Sequence, residues 1–288
     1  MSENSWSGNQ HHNDPKFIEV SIRMPQQVFK HNKYDCSLRF RQAGNRELDE
    51  AVIYFPGIYE TDGSFFRMVP LFENEGYRVI VVTTGNHRTF ETLIQTFDQL
   101  LRYLRIKRIH VIGCDYGGFV SLQVQNTVGF SAKILSLCLI NTYTQNTQFI
   151  PREITAFSIF GSFVANSKLS KEIENVSNNS QSAQFIEKEI GCIDMSEAKA
   201  RIDLRMAITP PLYLHLPAEA IMSIEPLDRE LITSAAYLPS LTIAGVKQAL
   251  MKTGADWPHL ESPNDLFSYI LCHIKKWTPT VEPTIESK

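Results

Sequence analysis

Two rhythms of apolar and polar positions alternate along the chain. Ala51–Phe55, Tyr77–Val82, Ile109–Ile112 and Ile134–Ile140 are short, nearly continuous apolar runs, the pattern of strands buried on both faces. Between them, Thr89–Leu104 repeats its apolar residues (Phe90, Leu93, Ile94, Phe97, Leu100, Leu101, Leu104) at the 3.6-residue period of a helix face. A second helix is predicted from Gly63 through Phe65, Phe66, Val69, Leu71 and Phe72, and a third over Phe119–Val128. Phe17–Met24 and Cys36–Arg41 alternate, which predicts edge strands. Ala220–Ile224 and Ala249–Met251 predict two late strands, and Arg229–Ala236 and Asn264–Lys276 two late helices. Strands and helices in this order predict an α/β fold, a mostly parallel, doubly wound sheet whose ligand site lies at the C-terminal strand edge.

The rhythm breaks in three places. Residues 1–15 are polar and predicted disordered, and 278–288 form a Pro/Thr/Glu-rich flexible tail. Pro151–Leu216 is helix-prone and irregular, with N-V-S-N-N-S-Q-S at 175–182. It reads as a helical cap insertion, about 142–217, within a single domain of 16–277. Within it, Ile154, Phe157, Phe160 and Phe163 share one stretch and could form an apolar stripe. Composition adds exclusions. A net charge of -3 with no basic block argues against nucleic acid as a partner. Apolar stretches such as Ile134–Ile140 and Ala156–Ala165 fall short of the roughly 20 residues of a membrane span. The N-terminal M-S-E-N-S-W-S-G-N-Q-H-H has no apolar core of a signal peptide. Five scattered cysteines without ligand spacing predict free thiols in a reducing, cytoplasmic compartment, with no metal site. No P-loop or dinucleotide fingerprint appears, and no cofactor is expected.

The candidate chemistry centres on V-I-G-C-D-Y-G-G-F, residues 111–119. An apolar strand runs into Gly113-x-Asp115-x-Gly117 and then into an apolar helix. That is the strand–turn–helix pattern of a nucleophile elbow, with Asp at the centre. Asp115 is either a carboxylate nucleophile or a small polar residue in a turn of the same shape.

The order of elements resembles the α/β-hydrolases over about residues 17–277. Three segments are more specific and resemble the maspardin family: F-F-R-M-V-P-L-F-E-N-E-G-Y-R-V-I at 65–80, I-H-V-I-G-C-D-Y-G-G-F at 109–119 and M-K-T-G-A-D-W-P-H-L at 251–260. That family keeps Ser at the elbow where this chain has Asp115. The resemblance implies an α/β-hydrolase fold and a non-catalytic adaptor in intracellular membrane traffic. It also implies a protein partner such as the cytosolic tail of a membrane receptor, and peripheral association with endosomal or trans-Golgi membranes.

Related hydrolases carry their His base before the aromatic residue of the last loop; here Asp256 precedes Trp257. Asp115, Asp228 and Asp256 are then the vestigial triad positions, with Glu225 a rival to Asp228. In the alternative reading the chain is an Asp-nucleophile hydrolase of the epoxide hydrolase, dehalogenase or esterase type, using Asp115, His259 and Asp228. In either case the oxyanion-type backbone donors are Tyr116 and the Gly57-Ile58 loop. Tyr143 and Tyr213 occupy the region of ring-opening acids, and His87 and His215 lie at the edge or cap. Asp115 and Asp256, sharing a partly dry site, are expected to raise at least one carboxyl pKa.

Overall fold

In the computed structural model, residues 13–147, 169–173, 180–231 and 238–278 are described. The predicted disordered start and tail, except their inner edges, lie outside these residues, as do Ile154, Phe157, Phe160 and Phe163. The elements in chain order are α1 (Pro15–Arg23), β1 (Gln27–Lys30), β2 (Ser37–Ala43), β3 (Glu50–Phe55), α2 (Val69–Asn74), β4 (Val79–Val82) and α3 (Phe90–Tyr103). There follow β5 (Arg108–Cys114), α4 (Tyr116–Gln125), β6 (Lys133–Ile140), α5 (Gln181–Cys192) and α6 (Met195–Met206). The chain closes with β7 (Ile221–Pro226), α7 (Pro239–Thr242), β8 (Lys247–Met251), α8 (Pro258–Glu261) and α9 (Pro263–Trp277).

The strands form one eight-stranded sheet in the order β1-β2-β4-β3-β5-β6-β7-β8. β2 runs antiparallel to both its neighbours, and every pair from β4 to β8 is parallel. Parallel strands need helices on both faces, which is why β3, β4, β5 and β6 are apolar almost throughout and buried. All parallel strands therefore end on one edge, under α5 and α6 of the cap.

One predicted strand is a helix. Phe17–Met24 alternates in sequence, yet it lies in and just after α1, where the Asp14 side chain caps the N–H groups of Lys16 and Phe17 and Pro15 opens the first turn. The two readings share several apolar residues; Ile22 decides between them, being 73% exposed while Phe17, Val20 and Met24 are buried at helical spacing. Phe17 then packs edge-on against Phe66 of the body and Phe185 of the cap. The predicted helix at Arg229–Ala236 does not form over Arg229–Leu231, whose backbone is irregular, and its remainder lies outside the described residues. The short β1 was not apparent from the sequence.

Candidate functional site

The elbow is a packing solution. A Cβ on Gly113 would sit 2.5 Å from the Gly117 carbonyl oxygen, and one on Gly117 would sit 2.0 Å from that of Phe55. With both positions bare, α4 approaches β3 and β5 closely enough to force a sharp turn. Asp115 takes the strain at φ 48°, ψ −115°, an outlier for a non-glycine residue. Its carboxylate points into a cavity of about 240 Å³.

The predicted backbone donors surround that carboxylate. The Ile58 N–H donates to Asp115 Oδ2 at 3.4 Å, and the Tyr116 N–H lies near enough to favour the charged carboxylate. The Gly57 Cα stands beside it and completes the same loop. The loop is held from the cap. Arg201 of α6, fully buried, donates to the carbonyls of Gly57, Ile58 and Glu60 and is paired with Glu197. Carbonyls drawn toward Arg201 leave the Ile58 N–H facing Asp115. A second cap contact is Glu189, whose carboxylate accepts from the Thr61 N–H and hydroxyl. Above the pocket Arg205 donates twice to Glu172, at 2.8 Å each, and Tyr59 donates to the same carboxylate at 2.8 Å.

The base side is arranged differently. Asp256 lines the same cavity as Asp115. Its two oxygens accept from the N–H groups of Leu231 at 2.8 Å and Glu230 at 3.2 Å. Asp228 faces the loop itself, accepting from Ala255 at 2.8 Å and Gly254 at 3.3 Å. It thereby fixes the turn in which Ala255 has φ 47°. Glu225 is occupied by Ser223, Ser240 and Gln248. His259 is fully buried, with Nε2 3.4 Å from Glu60 Oε2, its ring packed against Tyr54 and Phe65. Asp115, His259 and Asp228 thus make separate sets of contacts.

Of the remaining sequence candidates, Tyr143 and His87 are buried and Tyr213 and His215 exposed. Tyr143 is stacked on Phe119; Tyr213 sits edge-on to His215. His87 is buried, with Nδ1 2.7 Å from the Thr84 carbonyl and Nε2 2.7 Å from the Thr96 hydroxyl. A carbonyl only accepts, so Nδ1 carries the proton and Nε2 accepts.

Burial raises the Asp115 pKa to about 6, against the pull of the Tyr116 N–H, the Arg205 charge and the Ile58 N–H. Burial also raises Asp256, against the Leu231 and Glu230 N–H groups. Both carboxyls move in the expected direction, but desolvation of each leads, rather than their mutual repulsion. Glu60 moves the other way: burial opposes its charge, and His259, Ser64 and Tyr54 together hold it below the ordinary carboxylate range.

Contributors that escaped the sequence reading include Arg201, Glu172, Arg205 and Glu60. The first three lie in cap segments with no motif. Glu60 had a weak signal, as a polar residue one step beyond the Phe55–Tyr59 stretch at the strand edge.

No protein-family profile matches the chain. Among characterised sequences it is similar to maspardin. The Danio rerio protein is 22% identical over 252 residues, covering 83% of this chain and 78% of that protein. The Homo sapiens protein is 21% identical over 255 residues, covering 85% and 81%. Solved structures of low identity share the fold. A carboxylesterase of the thaumarchaeon Nitrososphaera gargenis superposes with a TM-score of 0.66 at 13% identity, covering 88% of this chain and 99% of that one. Epoxide hydrolase A from Mycobacterium thermoresistibile gives 0.60 at 11%, covering 88% and 98%. The chain has the α/β-hydrolase fold.

Proposed function

We propose that this chain, a divergent relative of the maspardins on the α/β-hydrolase fold, is a non-catalytic binding protein that works as an adaptor in intracellular membrane traffic. One observation carries the non-catalytic part. Where a hydrolase of this fold needs an imidazole, the chain presents Asp256, with both oxygens engaged by backbone N–H groups. An ester formed on Asp115 would need a base to activate water for its release. Among the described residues the imidazole nearest in sequence to that loop, His259, is paired with Glu60. The adaptor role, the receptor-tail partner, the cytoplasmic location and the endosomal or trans-Golgi association rest on the resemblance to the maspardins. No helix among the described residues is long and apolar enough to cross a membrane.

The Asp-nucleophile reading has one observation in its favour, the Ile58 N–H on the Asp115 carboxylate with the Tyr116 N–H near it, which an ester intermediate would also use. Turnover separates the two. Purified protein, with and without chelator, should hydrolyse nitrophenyl esters, epoxides and haloalkanes no faster than its Asp115→Ala variant. A rate that disappears in Asp115→Ala establishes the enzyme and overturns the non-catalytic reading.

A further inference from the structure

Behind the elbow, three side chains far apart in sequence converge. Glu60 follows β3, Cys114 ends β5 and His259 lies in α8. One carboxylate oxygen, the sulfur and one ring nitrogen all lie within 4.8 Å of one another. All three residues are buried, Glu60 and His259 completely. Their hydrogen bonding is incomplete. Glu60 Oε2 accepts from the Tyr54 and Ser64 hydroxyls at 2.8 Å each, but Oε1 has no partner among the described residues. Neither ring nitrogen of His259 has a hydrogen bond among the described residues, and Nε2 meets Glu60 only at ion-pair distance. Buried polar atoms in native proteins are nearly always satisfied, so unsatisfied atoms on two facing residues, Glu60 and His259, call for a shared partner.

We propose that Glu60, Cys114 and His259 form a binding site for a zinc-class divalent cation at the base of the pocket. Carboxylate, thiolate and imidazole are the donor types zinc takes, and three protein ligands leave its fourth position free. The charges close: a thiolate and a carboxylate balance a dication, with a neutral imidazole as third ligand. Binding releases the Cys114 thiol proton to solvent. Ligand atoms around tetrahedral zinc stand about 3.5 Å apart, so donors that lie within 4.8 Å of one another need to close by about 1.3 Å at most. Tyr54 and Ser64, donating to the carboxylate, act as the outer partners that orient such ligands. Glu60 and Cys114 also line the cavity that holds Asp115 and Asp256, so the free position faces that cavity. Cysteine spacing could not reveal the site, because only one of its ligands is a cysteine. The site does not depend on whether Asp115 performs chemistry.

The test uses the full chain, stripped with chelator and titrated with Zn²⁺ and with Co²⁺. The expected result is one metal per chain, a rise in melting temperature with Zn²⁺, and a thiolate-to-cobalt charge-transfer band in the near ultraviolet. Replacing Cys36, Cys192 and Cys272 together by Ser, which leaves Cys114 and the buried Cys138, should preserve the band and the stoichiometry. Cys114→Ala and His259→Gln should weaken binding by more than the ~10–100-fold that outer-partner changes cost. Absence of the band in the intact chain, its loss in the three-serine variant, or its persistence in folded Cys114→Ala overturns the site. If Cys114→Ala does not fold, the three-serine variant decides alone.

Discussion

The two ends of the parallel sheet edge treat the same kind of residue in opposite ways. At β3 and β5, Asp115 is held in a strained backbone conformation, its carboxylate open to the pocket and flanked by the Ile58 and Tyr116 N–H groups. At β7 and β8, Asp256, Asp228 and Glu225 are each tied down, two by loop N–H groups and one by neighbouring side chains. The difference lies in what builds each half. Elbow geometry follows from bare Cα positions packed against strand backbone, and it forms whatever side chain sits at its centre. The base half is made by individual loop side chains, so under the proposed reading one residue, Asp256, would change what that half can do. A well-formed elbow is therefore evidence of fold before it is evidence of chemistry.

The comparison can be broken from either side. The largest effect belongs to the elbow. Gly117→Val places a branched side chain against the Phe55 and Pro56 carbonyls, which cannot move without opening the sheet. It should cost at least ~4 kcal/mol, or prevent folding, in chemical denaturation. A loss under about 1 kcal/mol would mean that packing does not set the turn.

The next effect concerns His87, whose partner Thr84 also accepts from Tyr116 of the elbow. Burial lowers its pKa from 6.5 to about 4, so the native protein keeps it neutral while the unfolded chain takes up a proton below about 6.5. The unfolded state then binds more protons, and stability falls as pH drops through the window from about 6.5 to about 4. By pH 5 the loss from this residue should be on the order of 2 kcal/mol relative to pH 7. In His87→Gln the fall over the same range should be smaller by that amount, whatever the variant's own stability at pH 7. Parallel pH curves for the two proteins would remove His87 as the source.

The smallest effect marks the base half. Asp228→Ala frees the N–H groups of Gly254 and Ala255 and should cost about 1 kcal/mol, as losing a cap does. Local hydrogen exchange should rise at 254–256. A residue serving only to orient a catalytic imidazole would leave stability and exchange there unchanged.

Most of the architecture was legible because its cause is periodic. The apolar runs that become β3, β4, β5 and β6 allow no other burial, and α3 holds six of the seven apolar residues of its predicted face, with Leu104 as its C-cap. Phe17–Met24 misled because residues 18, 20, 22 and 24 alternate while 17, 20, 21 and 24 lie on one helix face; the Asp14-Pro15 start was the better signal. In the site, Asp115, Asp256 and the Gly57-Ile58 loop could be placed by position relative to strands. Glu60, Arg201 and the Glu172–Arg205 pair could not. Their roles come from cap-to-loop contacts spanning more than a hundred residues of sequence, or from the meeting of two strand ends with α8, neither of which leaves a local pattern.

The central claim, that the base half leaves Asp115 without turnover, is tested most directly by heavy-oxygen labelling. The protein is incubated in oxygen-18 water with an epoxide or a haloalkane in excess, then digested, and the peptide carrying Asp115 is weighed. Each cycle through an ester on Asp115 would leave one water oxygen in its carboxylate. The account predicts a peptide of unchanged mass for every substrate and no covalent adduct beyond the level seen in Asp115→Asn. Incorporation of heavy oxygen at Asp115 would contradict it, because it would show that the carboxylate attacks and that some base in the pocket releases the product.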